Sequence, residues 1–196
     1  QGFHGLLLGK NLGGYNESWL SLARKEKVIH RKPSKWIKKN TNINDIFLSN
    51  NELSFAINAL TGRKIITTRR THANPFVNIN ERQADAAIML YGTNESQVER
   101  LLDKYKVEYL YFHSDWQEVS KLDPLLVPST YKDYLDKGGV EFKQVKSKLD
   151  PGKRGVPKYK RLKIVVPDKI FKNKPIMNFF EPTYKQNGIV IYKRIK

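Results

Sequence analysis

The sequence contains no cysteine, which excludes disulfide bridges, cysteine-ligated structural zinc and thiol catalysis. It also has no run of eighteen apolar residues, so no segment in it is long enough to span a bilayer. A P-loop, a glycine-rich dinucleotide fingerprint, a His-Glu-x-x-His sequence and a nucleophile elbow are all absent. None of these motifs therefore supplies a catalytic residue, and we expect no cofactor.

Acidic residues are scarce relative to basic ones, with 19 Asp and Glu against 36 Lys and Arg and a formal net charge of +17. An excess of this sign is typical of nucleic-acid-binding proteins. It also favours an anionic membrane surface, and it can simply keep a lysine-rich surface soluble. The chain begins with glutamine rather than methionine, from which we expect it to be a piece of a longer protein.

One stretch in the middle of the chain organises its neighbours. Gly62 ends an apolar helical pattern and supplies a residue that tolerates positive φ. The β-branched run 65–68 then predicts a buried strand. Arg69, Arg70 and His72 follow at the carboxyl end of that strand, where open α/β sheets bind ligands. We therefore predict that these three side chains form a site for a phosphate or carboxylate.

The elements around this stretch predict an α/β fold. Strands are expected at Asp45–Ser49 and Val107–Phe112, one before and one after the strand at 65–68 in the sequence, and helical patterns separate all three. Strands joined by a helix run parallel and cross over right-handed. We predict a three-layer, Rossmann-like arrangement, in which helices cover both faces of a mostly parallel sheet and a basic C-terminal extension is rich in strands.

The composition changes after residue 137. The segment 143–174 carries twelve Lys and Arg against two Asp. We divide the chain into an N-terminal segment with a helix over 16–29 (1–32), an α/β core (33–137) and the basic extension (138–196), whose last strand returns to the core. Within the extension we predict a basic surface formed by Lys153, Arg154, Lys158, Lys160 and Arg161.

Several side chains have an expected direction. Trp36 should face inward from a short basic helix. Asp85 lies one helical turn after Glu81, and we expect both to face solvent rather than act as an acid pair. Arg63 should point to the sheet edge opposite the predicted anion site.

Three residues near the predicted strand ends are candidate metal ligands. His72, His113 and Asp115 would follow the ends of adjacent strands, which could bring them together. Because no local spacing motif supports that ligand set, we predict no metal site.

Three ordered motifs resemble a known family: Trp36–Thr41, Thr61–Lys64 and Lys104–Tyr111. With the closing strand Gly188–Lys193, they resemble the soluble C-terminal region of multi-spanning archaeal and bacterial membrane glycosyltransferases of the GT-C type, relatives of oligosaccharyl and dolichyl-phosphate-mannose transferases. The resemblance covers about residues 30–112 and 188–194. The chain lacks the Trp-Trp-Asp-Tyr-Gly motif of the oligosaccharyltransferases, which leaves peptide-acceptor recognition unsupported.

The resemblance implies an accessory domain, since the family's catalytic carboxylates lie in loops between membrane helices. It implies a tethered domain on the extracytoplasmic face of the membrane, with the membrane surface, the transmembrane part of the parent protein and a lipid-linked sugar phosphate as partners. Two alternatives stay open. One is a basic module that binds nucleic acid, and the other is a stand-alone soluble enzyme with an anion site near Arg69 and Arg70.

Overall fold

The computed structural model describes residues 30–68, 73–114, 116, 125–146, 160–167 and 171–195. Helices and strands alternate through the first half of these ranges, as the hydrophobic pattern predicts. The described helices are α1 (Arg31–Asn40), α2 (Asn51–Thr61), α3 (Ile79–Tyr91), α4 (Glu95–Lys104) and α5 (Lys132–Lys137), with 3-10 turns at Ser129–Tyr131 and Pro175–Phe179. The described strands are β1 (Ile46–Leu48), β2 (Lys64–Ile65), β3 (Val107–His113), β4 (Leu126–Pro128), β5 (Phe142–Lys146), β6 (Lys160–Ile164), β7 (Phe180–Gln186) and β8 (Ile189–Arg194).

The larger sheet has five strands in the order β2-β1-β3-β8-β7. β1 pairs in parallel with both β2 and β3, which confirms the predicted arrangement of the first three strands. β8 pairs antiparallel with β3 on one side and with β7 on the other. Four strands therefore run in one direction and β8 runs in the other. The chain has a mixed α/β fold with a mostly parallel sheet.

Helix ends follow local sequence signals. The side chain of Asn50 caps α2 by accepting a hydrogen bond from the amide of Leu53 at 2.8 Å. Gly62 ends the same helix with φ of 73°, as predicted. The side chain of Asn78 caps α3 by accepting a hydrogen bond from the amide of Glu81. Asn78 lies three positions before Glu81, and the helix begins at the next residue, Ile79.

Strands with weak sequence signals differ most from expectation. The strand predicted over 65–68 is regular only at Lys64–Ile65, because the chain leaves the sheet at Ile66. β7 was not predicted, since Pro182 interrupts its pattern. Proline is tolerated there because β7 is an edge strand, and the pairing with β8 is irregular between Pro182 and Tyr184.

A second sheet of three antiparallel strands has the order β4-β6-β5. β4 lies within the predicted α/β core (33–137), and it pairs with β6 from the basic extension. Val127 at its centre is fully buried, opposite Leu162 of β6. The strands of residues 138–196 are thus shared between this sheet and the larger one.

Helix α3 is buried on nearly all sides. It contacts α4, α5, β4 and the 3-10 turn at Pro175–Phe179. Every residue from Ala84 to Tyr91 is buried. A helix in this position has no solvent-facing stripe over its last two turns, and this decides the environment of Asp85.

Trp36 is half-buried rather than fully buried. Its ring packs against that of Tyr184, with the centroids 5.3 Å apart, while Ile37 beside it is 1% exposed. The helix predicted over 16–29 lies outside the described residues. Within the described ranges, no helix combines the length and apolarity that a membrane crossing requires.

Candidate functional site

The predicted anion-site residues cannot be placed, since Arg69, Arg70 and His72 lie outside the described residues. Of the predicted basic surface, Lys153, Arg154 and Lys158 also lie outside them. Lys160 begins β6, but its side chain is not described. Arg161 is on β6 and is half-buried.

The carboxyl edge of the parallel strands carries buried polar residues. Ser49 follows β1 and donates its hydroxyl to the carbonyl of Tyr111 in β3 at 2.7 Å. Thr67 follows β2 and donates to the side-chain oxygen of Asn51 at 2.8 Å. Both hydroxyl residues and Asn51 are at most 3% exposed. These bonds connect the ends of the strands to each other and to the start of α2.

Three side chains at this edge hold polar atoms that have no hydrogen-bond partner among the described residues: Asn50 (Nδ2), Ser54 (Oγ) and Thr68 (Oγ1). Asn50 and Ser54 are 3% and 0% exposed and lie in the cap and first turn of α2. Burying an unpaired amide or hydroxyl is unfavourable. A helix N-terminus with free side-chain donors suits an anionic group.

Two histidines meet next to this edge. His30 Nδ1 and the Tyr111 hydroxyl form a hydrogen bond of 2.6 Å, and the His30 and His113 rings lie 5.9 Å apart. Burial, and then the charge of His113, lower the pKa of His30 to about 4. His30 is therefore neutral at physiological pH.

Of the three candidate metal ligands, only His113 lies within the described residues. His113 is buried at the end of β3, whereas His72 and Asp115 lie outside the description. In the part of the chain that is described, no three His, Asp or Glu side chains converge on one point. The carboxyl edge offers hydrogen-bond donors, which can hold an anion.

Asp85 is 1% exposed, so the expectation that it faces solvent was wrong. Its carboxylate accepts hydrogen bonds from the Lys104 ammonium at 2.8 Å, from the Tyr105 hydroxyl at 2.6 Å and from the Tyr134 hydroxyl at 2.5 Å. Glu81 stays half-exposed and contacts the same lysine at 2.7 Å. Asp85 thus joins α3 to α4 and α5. The sequence signal for its burial is that Asp85 is the one charged residue in the otherwise apolar run Ala84–Leu90.

The charges in this cluster shift the pKa values of its members. For Lys104, burial opposes the charge, but hydrogen bonds to Asp85 and Glu81 outweigh burial and raise the pKa above its ordinary value. Burial, reinforced by the hydrogen bond to Asp85, raises the pKa of Tyr134 to about 12. The lysine stays charged and the tyrosine stays protonated across the physiological range, as a structural cluster requires.

Arg63 connects two of the motifs that carry the resemblance. Its side chain is 7% exposed and donates to the carbonyls of Thr41 at 2.8 Å and Lys38 at 3.2 Å. It also donates to the carbonyl of Thr61 at 3.0 Å. The guanidinium therefore fastens the Thr61–Lys64 motif to the end of the Trp36–Thr41 motif, on the side of the sheet where β1 begins.

No protein-family model matches the chain, and no curated protein matches it. Among solved structures, the chain is similar to the C-terminal globular domain of an oligosaccharyltransferase from Archaeoglobus fulgidus. The two share 10% sequence identity with a TM-score of 0.46, over 85% of this chain and 97% of that domain. This similarity transfers neither site residues nor an activity to the chain.

Proposed function

We propose that this chain is a non-catalytic, extracytoplasmic domain of a membrane protein that handles lipid-linked sugars, and that it positions or binds components of that system. The proposal includes the three-layer, Rossmann-like arrangement with a basic, strand-rich extension. Its partners are the membrane surface and the transmembrane part of the parent protein.

The observation that carries the proposal is the Arg63 contact. Two of the motifs that resemble membrane glycosyltransferases, Trp36–Thr41 and Thr61–Lys64, meet through this side chain, so the occurrence of these two together has a structural cause. Arg63 uses its donors on backbone carbonyls, Gly62 supplies a positive φ, and Ile37 fills the core. Residues used in this way hold a scaffold together, which supports an accessory role.

A test uses the absence of native cysteine in this chain. Phe76 is 94% exposed, so a Phe76→Cys variant offers an accessible thiol within the protein encoded by the complete reading frame. A membrane-impermeant maleimide should label it in intact cells. Leu110→Cys, at a position that is 0% exposed, is the control that should react only after unfolding.

Labelling of Phe76→Cys in intact cells, with the protein in the membrane fraction, would support the proposal. Labelling that requires permeabilised cells would overturn it, since the domain would then lie in the cytoplasm. Recovery of the full-length protein in the soluble fraction would also overturn it, because the proposal requires a membrane tether.

We further propose that the headgroup of a lipid-linked sugar phosphate binds at the carboxyl edge. The unpartnered Asn50 amide supports this, as does the position of Thr68 directly before Arg69, Arg70 and His72 in the sequence. Asn50→Asp keeps a capping oxygen for Leu53 but places a carboxylate where the free amide lies. Asn94→Asp also replaces a capping asparagine by aspartate, at the exposed start of α4, and is the control for the added charge at a helix cap.

The probes are a short-chain prenyl-phosphate sugar and, in a separate titration, inorganic phosphate. Binding is measured from the amide chemical shifts of the chain. Asn50→Asp should weaken binding of both by about tenfold, because a negative charge then faces the anion. Asn94→Asp should bind as the unchanged chain does. Equal binding by all three proteins would exclude this edge as the anion site.

A further inference from the structure

The second sheet has a face turned away from the core. Leu162 and Ile164 of β6 are each 1% exposed and point inward. Side chains alternate along a strand, so Arg161 and Lys163 lie on the other face. Lys143 of β5 lies on that face too, because it is the register partner of Lys163. We call these three residues the cationic face.

Half-buried apolar side chains lie between these charges. Leu126 is the register partner of Lys163, and Pro128 is the partner of Arg161 on the same strand pair. Val145 of β5 is opposite Arg161 from the other side. The face therefore combines cations with short apolar side chains near the surface.

The charge on this face is one-sided. No Asp or Glu occurs in β4, β5 or β6. Lys143 and Lys163 are both exposed and directly opposite each other, and like charges in that position destabilise a sheet. Arg194 of β8, by contrast, is paired with Asp103 at 2.6 Å. Within the described ranges, none of the three cations of this face forms a salt bridge.

We propose that the cationic face binds the headgroups of an anionic lipid bilayer. The inference rests on the proposed function and adds the surface by which the domain meets the membrane. Phosphate groups placed between Lys143 and Lys163 would relieve their repulsion. Each basic residue at an anionic surface contributes roughly fivefold to binding, so three give about a hundredfold.

A nucleic acid fits this face less well. Proteins that hold single strands stack the bases on aromatic side chains beside a basic groove. The outward positions of this sheet carry Leu126, Pro128, Lys143, Val145, Arg161 and Lys163, and none of these is aromatic. The positive charge is present without a surface on which bases would stack.

The test is co-sedimentation of the chain with vesicles of phosphatidylcholine, either alone or with roughly 30% phosphatidylglycerol, across a salt series. The variant is Lys143→Glu/Lys163→Glu, which keeps a like-charge pair but reverses its sign. The control is Lys32→Glu/Lys35→Glu, which changes the charge equally at exposed positions of α1. Acidic residues in the first turns of a helix are tolerated there.

We expect the unchanged chain and the α1 control to bind the anionic vesicles alike, and the face variant to bind at least tenfold less. The single variant Lys163→Glu should also bind less but melt at a higher temperature, since it turns a repulsive pair into an attractive one. A purely structural role for these lysines would not couple weaker vesicle binding to higher stability.

An equal loss in the α1 control would overturn the inference, because binding would then follow net charge alone. Tighter binding to generic DNA or RNA than to anionic vesicles at the same salt would also overturn it. Absence of vesicle binding together with labelling of Phe76→Cys in intact cells would reject this face and leave the proposed function standing. Labelling only after permeabilisation would reject the proposed function itself.

Discussion

The guanidinium of Arg63 holds the end of α1 through Thr41. Its Nη2 donates to the Thr41 carbonyl at 2.8 Å, and its Nε donates to the Thr41 hydroxyl at 3.0 Å. The last carbonyls of a helix lack partners within the helix, and a cation there also opposes the negative end of the helix dipole. This one side chain therefore caps the C-terminal end of α1 and fixes it to the loop before β2.

Replacing Arg63 by methionine should lower the free energy of unfolding by about 3 kcal/mol, because several buried carbonyls would lose a charged donor. Urea denaturation followed by tryptophan fluorescence measures the change. Arg100→Met, at an exposed position of α4, is the matched control and should cost less than about 0.5 kcal/mol. A loss below about 1 kcal/mol for Arg63→Met would show that water replaces the guanidinium without penalty.

His30 should make stability depend on pH on the acid side. Its folded pKa of about 4 lies below the ordinary value of 6.5, so the unfolded chain binds the proton more readily between these values. The contribution is complete above pH 6.5 and is lost as the pH falls towards 4. The difference between the folded and unfolded pKa values of His30 corresponds to about 3 kcal/mol of the free energy of unfolding.

The check is the slope of unfolding free energy against pH, measured for the unchanged chain and for His30→Gln. Other groups also titrate in this range, so the difference between the two slopes carries the information. The variant should lose less stability between pH 6.5 and 4 than the unchanged chain does. Parallel curves would show that the neutral state of His30 makes no contribution.

Local signals predicted much of the α/β frame. Asn50 and Gly62 mark both ends of α2, and the β-branched and aromatic strands pair in parallel as their connecting helices require. Each of these signals lies within a few residues of the element that it defines. The edge strand β7 escaped prediction because Pro182 removes the pattern, and only its place at the sheet edge makes that proline acceptable.

Side-chain partners distant along the chain could not be predicted in the same way. Tyr134 lies 49 positions from Asp85, and Thr41 lies 22 positions from Arg63. Whether a charged residue on a helix is exposed depends on what packs over that helix, which periodicity alone does not reveal. The carboxyl edge was predicted as a location from the strand order, but its unpartnered atoms depend on packing.

Gly139 should tolerate alanine far less well than Gly62. Both have positive φ, at 66° and 73°. A Cβ at Gly62 would lie 3.4 Å from its nearest neighbour, whereas one at Gly139 would lie 1.9 Å from Thr93 Oγ1. Gly62→Ala should therefore cost about 1–2 kcal/mol for backbone strain alone. Gly139→Ala should cost clearly more in the same thermal or urea measurement.

A Thr93→Ala background separates backbone strain from steric overlap at Gly139. In a Thr93→Ala background, the cost of Gly139→Ala should fall, because the clashing hydroxyl is gone. The cost of Gly62→Ala should not change, since Thr93 is not near that glycine. If the cost of Gly139→Ala were the same in both backgrounds, the close approach to Thr93 would not be the cause.

The Asp85 cluster allows a comparison of two acids that share one lysine. Lys104 contacts Asp85, whose side chain is 1% exposed, and Glu81, whose side chain is 44% exposed. Asp85→Asn should lower the free energy of unfolding by about 2 kcal/mol, because it removes a charged acceptor that three donors share. Glu81→Gln should cost less than about 1 kcal/mol, since water screens an exposed pair.

An alkaline titration followed by tyrosinate absorbance gives a second measurement on the same two variants. Burial, together with the hydrogen bond to Asp85, raises the pKa of Tyr134 to about 12. Removing the carboxylate charge should bring that pKa closer to the ordinary value, and Glu81→Gln should leave it in place. Equal effects of the two substitutions on stability and on tyrosine titration would contradict the buried hydrogen-bonded carboxylate as the centre of this cluster.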